Sequence, residues 1–325
     1  MEKTRPMRLN TASSTVVVGA CLLCAAASPA QQGEKRTCDV PLVVTRFDPS
    51  SRKTVMVKDL GVSDLAVQLG TEWLSVESAT IDDGAKRVAL ILDGGGRVSK
   101  EEWEMQTELA ASFVEHGRRG DAFALLVAGS RSAPGPFEPA KKAGKRLRKL
   151  KSSRGASTNS NGSTYDALLA ASNLLTPPRF GDSIFLFGRA DDSGSAASLD
   201  QVQELVLKNG LRFCGLSLSA SLTSKLLDLS RTTGCVFEFT SLKVLSMPAV
   251  QGPFGPIPPQ LSLRKAALGE AFAGIAEPYR VGIPASSIQA PIDLKFDVPT
   301  ADERKIDVRD AYYPHFVYPC SPARP

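Results

Sequence analysis

From Lys86 onward, apolar runs alternate with stretches of helical period, and that alternation constrains the fold more than any other feature of the sequence. "RVALILD" (87–93) is apolar without interruption, as a strand covered on both faces requires. Ser99 and Glu102 form a capping box at the start of a helix whose Trp103, Met105, Leu109, Phe113 and Val114 make a broad apolar face. Further strands are read at 121–129, 182–188, 211–218 and 235–239, and further helices at 164–175, near 198–208 and near 221–232. Strands and helices of these lengths in alternation imply right-handed crossovers. The fold class is therefore α/β, a doubly wound and mostly parallel sheet flanked by helices. Its domain spans 85–245.

The flanks read differently. Residues 38–84 hold short β-rich pieces at 41–47, 53–57 and 64–69, separated by turn-forming groups. "MPAVQGPFGPIPPQ" has five prolines in fourteen residues, so 246–262 reads as an irregular linker. A helix over 263–276 then leads to "YRVGIP" and to strands at 291–298 and 304–313. The N-terminal segment and residues 263–320 are expected to pair into one small accessory sheet.

Residues 1–30 have a basic start, about a dozen apolar residues and small residues at Ser28 and Ala30. This is the layout of a secretory signal peptide cleaved after Ala30, too short to span a bilayer. The competing readings are a buried N-terminal helix and a lipidated Cys21. No later segment reaches eighteen apolar residues, so no transmembrane segment is expected and the chain is assigned to the periplasm or the exterior. Beyond the signal lie Cys38, Cys214, Cys235 and Cys320. An even count in an exported protein points to disulfides, and four cysteines allow three pairings. Cys38–Cys320, tying the two ends, and Cys214–Cys235 are favoured, against four unpaired buried thiols. With only His116 and His315 and no remaining CxxC, a zinc site has no support.

"LILDGGGR" (90–97) sits where α/β proteins place phosphates and metals. It fails as a dinucleotide fingerprint, because the third glycine position is Ser99, and it lacks the ending of a phosphate loop. The net charge of +5 is too mild to imply nucleic acid. "KKAGKRLRKLKSSR" (141–154) is the exception, with Lys141, Lys142, Lys145, Arg146, Arg148, Lys149, Lys151 and Arg154. It reads as the solvated face of a surface helix with Leu147 and Leu150 inward, or else as a dock for an anionic surface such as a polysaccharide. No aromatic interleaves it, so base stacking has no platform. Asp191 and Asp192 read as turn formers rather than a Ca²⁺ site. Neither histidine lies in a catalytic motif, and no enzyme activity is expected.

Taken in order, "KRVALILDGGGR", "GDAFALLVAGS", "GSTYDALLAA", "GDSIFLFGRADDSGS", "LRFCGLSLS" and "SRTTGCVFEF" resemble the von Willebrand factor type A domain, and the exported bacterial VWFA-related group in particular. The resemblance covers nearly all of 38–318. It implies a strand order of 3-2-1-4-5-6 with one short antiparallel edge strand, and a binding function at the apex of the sheet. In similar proteins an Asp, two serines, a distant Thr and a distant Asp hold a divalent cation there. Carried over, Asp93 matches the first Asp, but the serine positions are Gly95 and Arg97, and Arg189 stands where the second Asp belongs. Ser163 or Thr164 reaches the Thr place only with a local shift. A guanidinium about 5 Å from a divalent ion repels it by roughly 2–7 kcal/mol. A micromolar to millimolar site has only about 4–8 kcal/mol in total. The resemblance therefore implies a degenerate metal-ion-dependent adhesion site with no metal and no cofactor. Arg97 or Arg189 is expected to pair with Asp93, the alternative being that both arginines face solvent. The implied function is a non-enzymatic protein-binding or adhesion module. The alternatives are a structural envelope component with no apical ligand, and an anion-binding protein acting through 141–154.

Overall fold

The computed structural model describes residues 37–48, 50, 53–95, 98–130, 134–152, 163–189, 192–218, 224–252, 255–257, 259–298 and 308–320. The signal peptide expected at 1–30, with Cys21, lies outside them. The N-terminal part supplies β1 (Thr37–Asp48), β2 (Lys53–Met56), β3 (Ala66–Leu69), β4 (Glu72–Ser75) and β5 (Ser78–Ile81). The alternating part runs β6 (Arg87–Asp93), α1 (Lys100–Glu115), β7 (Ala122–Ala128), β8 (Glu138–Pro139), α2 (Ala140–Ser152), α3 (Thr164–Leu174), β9 (Ser183–Gly188), α4 (Leu199–Lys208), β10 (Arg212–Ser217), α5 (Ser224–Thr232) and β11 (Phe237–Phe239). It is followed by α6 (Leu242–Leu245), β12 (Val250–Gly252), β13 (Gly255–Ile257), α7 (Gln260–Ala276), β14 (Tyr279–Pro284), β15 (Ile292–Asp297), β16 (Val308–Tyr312) and β17 (Phe316–Val317).

Six strands form the central sheet in the order β11-β10-β9-β6-β7-β8. All neighbours are parallel except β8, which runs antiparallel to β7 at the edge. Counted from β6, this is the order 3-2-1-4-5-6 with its short antiparallel edge, the arrangement of a von Willebrand type A fold. The physical reason is legible in burial. Every residue of β9 and β10 is buried, and β6 is buried from Val88 to Asp93. Such strands must be covered twice. On one face Trp103, Leu109 and Phe113 of α1 pack with Leu147 of α2 and Phe272 of α7. On the other, Leu168 of α3, Val202 of α4 and Leu226 of α5 close over Ile91 and Leu186. Phe113 lies at the centre of the first layer, with ring centroids 4.4 Å from Phe185 and 5.2 Å from Phe272. The Ser99–Glu102 capping box starts α1 as the sequence requires.

At the lower end of the sheet, buried charges are paired. Lys86 Nζ bonds Asp82 at 2.6 Å, and Arg87 pairs with Asp182. These contacts satisfy cations that burial would otherwise make costly.

The flanking segments form two sheets rather than one accessory sheet. β16-β1-β14-β5, with β2 added on β1, makes the first; β17-β15-β3-β4 makes the second. Their inward residues, among them Leu42, Val67, Val281 and Phe296, share one core. The second sheet exists because Gly70, at φ 58°, lets Leu69 turn back onto Glu72 in a tight hairpin. β14, at "YRVGIP", is the strand that carries β1 and β5 on its two sides. The proline-rich stretch is likewise more ordered than its composition indicates. β12 pairs with β13 around Gln251 and Pro256, and α7 begins directly after Pro259. Proline is compatible with a two-stranded edge and with a helix start.

Cys38 is bonded to Cys320 and Cys214 to Cys235. The first bond closes a span of 282 residues, which ties β1 to the C-terminal tail. A Cys38→Ser/Cys320→Ser variant should lose about 2–5 kcal/mol of stability. Urea unfolding measures this, and an unchanged midpoint and slope would contradict the clamp.

Candidate functional site

The C-terminal ends of β6 and β9 and the starts of α1 and α3 converge at the apex of the central sheet. Asp93 ends β6 and is only 2% exposed. Its main chain is gripped by one side chain. The Asp93 N–H donates to Gln106 Oε1 at 2.9 Å, and Gln106 Nε2 donates to the Asp93 carbonyl at 2.7 Å. Gln106, on α1, is wholly buried. The strand therefore ends in a closed two-bond exchange with a helix side chain, which replaces the ladder partner the strand lacks there.

The carboxylate of Asp93 is held by main-chain donors from two turns. Gly95 N–H donates to Oδ1 at 3.0 Å, and Arg189 N–H donates to Oδ2 at 3.2 Å. Close approach explains two of the glycines. A Cβ on Gly188 (φ 139°) would lie 2.3 Å from Asp93 Cβ, and one on Gly94 would lie 2.8 Å from the Ala128 carbonyl. Gly94 N–H donates to that same carbonyl at 3.1 Å. Gly94 and Gly188 thus serve close packing, and the amides of Gly94 and Gly95 serve backbone hydrogen bonding.

Arg189 reaches Asp93 through its amide, while its guanidinium Nε lies 3.8 Å from Glu102 Oε1. Glu102 meanwhile caps α1 through Ser99. The guanidinium is thus drawn toward the start of α1, where the sequence led us to expect Asp93 as the partner of an arginine. Arg97 lies outside the described residues. Ser163 accepts the Gly129 N–H at 2.8 Å, and Thr164, the first residue of α3, is buried beside it. Through Gly129, which follows β7, Ser163 ties the start of α3 to the same end of the sheet. Ser217 Oγ donates to the Arg189 carbonyl at 3.2 Å and so secures the turn after β9.

Asp192 is a turn former with a definite task. It accepts the Tyr165 N–H at 3.1 Å and the Ser195 hydroxyl at 2.5 Å, fastening the loop after β9 onto the start of α3. Asp166 reciprocates by accepting the N–H groups of Ala196 and Ala197. Burial, and secondarily the Asp192 carboxylate, raise the Tyr165 hydroxyl above the ordinary tyrosine range. Asp191 lies outside the described residues.

These groups do not fit a hard-cation site. Both oxygens of Asp93 accept N–H groups, Gly95 has no hydroxyl, the Ser163 hydroxyl accepts an amide, and position 189 is a cation. Divalent Mg²⁺ or Ca²⁺ needs several convergent oxygens. Among the described residues no group of three or more His, Cys, Asp or Glu converges on one point.

No family model and no curated protein matches this sequence. Among solved structures the chain is similar to proximal thread matrix protein 1 from the mussel byssus, at 13% identity, over 60% of this chain and 48% of that one, with a TM-score of 0.46. It is similar also to a von Willebrand factor type A protein from Catenulispora acidiphila, at 11% identity, over 75% of this chain and 51% of that one, with a TM-score of 0.45. A third is an aerotolerance-related membrane protein from Bacteroides fragilis, at 11% identity, over 58% of this chain and 98% of that one, with a TM-score of 0.42. The chain spans about half the length of the mussel and Catenulispora proteins.

The basic run lies on α2, whose Leu150 carbonyl accepts the Trp103 Nε1–H from the first turn of α1 at 2.9 Å. Lys141, Lys142, Lys145, Arg146, Arg148 and Lys149 are exposed, and Ala143 and Leu147 are buried against the core. Arg148 pairs with Glu115, and Arg146 lies over Gly135. Lys151 is part of the helix, but its side chain and Arg154 lie outside the described residues. No described helix is long and apolar enough to cross a membrane. Of the histidines, His116 caps the end of α1 beside Gly269 of α7, and His315 lies next to Tyr313. Burial, with Arg231 nearby, lowers the His315 pKa.

Gln106 and Gly188 are the site residues that motif reading misses. The signal for Gln106 is present, since it falls on the apolar stripe of α1 between Trp103 and Ala110, where a polar residue must have an internal partner. Gln106→Leu leaves an N–H and a carbonyl buried without partners. It should cost about 2–6 kcal/mol at roughly 1–3 kcal/mol per group. Thermal or urea denaturation tests this, and a loss under about 1 kcal/mol would mean the clamp contributes little.

Proposed function

We propose that this chain is a non-enzymatic module that binds another protein through the apex of its sheet, without a metal ion, outside the cytoplasm. The observation that carries the reading is the Asp93 carboxylate, both of whose oxygens accept main-chain N–H groups from the turns after β6 and β9. An apex fixed by its own backbone needs no ion to hold its shape. Arg189, in the turn after β9, brings positive charge to the apex, and the sequence carries a second arginine at position 97. Such a surface suits an acidic side chain of a partner, because a guanidinium presents donors in a geometry that matches a carboxylate. Arg189 is 31% exposed, enough to meet such a group.

Export is supported by the layout of residues 1–30 and by two disulfides, which persist in oxidising compartments. The non-enzymatic reading is supported by the apex itself. The buried Asp93 carboxylate accepts two backbone amides, and both histidines sit on other parts of the fold.

Two measurements test the proposal. In calorimetry with Mg²⁺, Mn²⁺ and Ca²⁺, no saturable heat is expected; saturable binding that Asp93→Ala abolishes would overturn the metal-free apex. In affinity capture from an envelope fraction, a specific partner should be retained by the natural chain and lost by an Arg97→Ala/Arg189→Ala variant. Equal retention by both would place the binding surface elsewhere.

A further inference from the structure

Arg212, the first residue of β10, is a buried cation of a different kind from Lys86 and Arg87. It is 3% exposed. Its Nε and Nη2 donate to the Gly234 carbonyl at 3.3 and 2.9 Å, and its Nη1 donates to the Gly274 carbonyl at 2.9 Å. Gly274 belongs to the last turn of α7, so the guanidinium also meets the negative end of a helix. Lys86 and Arg87 each have a carboxylate partner, whereas no carboxylate among the described residues pairs with Arg212. Burial draws its pKa down to about 10, so it stays charged at neutral pH. A guanidinium has five N–H donors. Three are engaged by the two carbonyls, which leaves one on each Nη.

Arg212 lines a cavity of about 220 Å³ between the central sheet, α7 and the accessory strands β1 and β2, with its guanidinium held on the Gly274 carbonyl of the same lining. Phe185, Ala271, Ile275, Val43 and Met56 give it apolar walls, and the Cys214–Cys235 disulfide closes one side. α7 runs along it from Ala267 to Gly274, a length of about 10 Å. Arg212 stands at the Gly274 end. Glu238 lines the cavity with Ala267 toward the other end, and it is already paired with Arg264. Glu270 lies between, on the exposed side of α7. The cavity therefore has a cationic end, an apolar middle and acidic groups on its flank. Inorganic anions gain nothing from the walls, and polyanions meet the acidic flank. A single carboxylate with a short apolar body matches the cationic end and the apolar middle, and its one charge stays at the Gly274 end, away from Glu238.

We infer that this cavity is a binding site for a small organic monocarboxylate, held by Arg212 at its acid end and by Phe185, Ala271 and Ile275 along its body. The ligand supplies the counter-charge that Arg212 lacks, and its apolar part is removed from water between α7 and the sheet. This site is separate from the apex and does not rest on the apical reading.

The test is calorimetric or NMR titration of the full chain, disulfides intact, with hexanoate, hexan-1-ol and hexylamine. Hexanoate should bind at one saturable site, hexan-1-ol about tenfold or more weakly, and hexylamine not at all. Ala271→Trp fills the cavity without removing Arg212, and Met56→Trp fills it from the opposite wall. Each should abolish hexanoate binding while urea unfolding shows a folded chain. Absence of saturable hexanoate binding would overturn the inference. So would tighter binding of hexylamine, or hexanoate binding that persists in both folded variants.

Discussion

β6 is buried from Val88 to Asp93, and the rest of the molecule follows from that constraint. A strand without solvent on either side must be flanked by strands and roofed by helices. Its last residue must also find partners for every polar group inside the protein. Gln106 meets that need by exchanging two hydrogen bonds with the Asp93 peptide. The same contact fixes α1 against the end of the sheet and sets the positions of the turns on either side.

With Asp93 fixed, the chemistry of the apex becomes a question of what surrounds its carboxylate. Two backbone amides do, and they arrive from turns that only glycine permits, at Gly94 and Gly188. The neighbouring positions that would supply hydroxyl and carboxylate ligands carry glycine and arginine instead. The proposed metal-free reading rests on that change of residue type. A repulsion of several kcal/mol per guanidinium is comparable with the whole binding energy of a modest metal site. That comparison supports the proposed metal-free apex.

Much of this was legible in the residues. Uninterrupted apolar runs such as 87–93 and 182–188 mark strands buried on both faces, and the Ser99–Glu102 pair marks a helix start. The two accessory sheets were harder to read. β4 is four residues long, and its Trp73 is half exposed. The expected pairing of the N- and C-terminal segments is there, in β1 with β14 across more than 230 residues, but no local pattern encodes its register or the division into two sheets. The proline-rich stretch misled because composition reports what a backbone disfavours, and an edge ribbon uses few of the N–H groups that proline lacks. At the apex, motif comparison located Asp93 and Arg189. It missed Gln106 because a lone polar residue on an apolar stripe belongs to no motif; only the need to satisfy buried groups identifies it. Arg212 was hidden for the same reason, since its isolation from carboxylates emerges only once α7 lies over β10.

The most direct test of the account is a crystal grown with millimolar Mn²⁺ and measured for anomalous scattering at the apex. The account predicts no anomalous peak near Asp93, with the carboxylate on the Gly95 and Arg189 amides. A peak within coordination distance of Asp93, with the carboxylate turned toward it, would contradict the claim that fixed positive charge has replaced the ion.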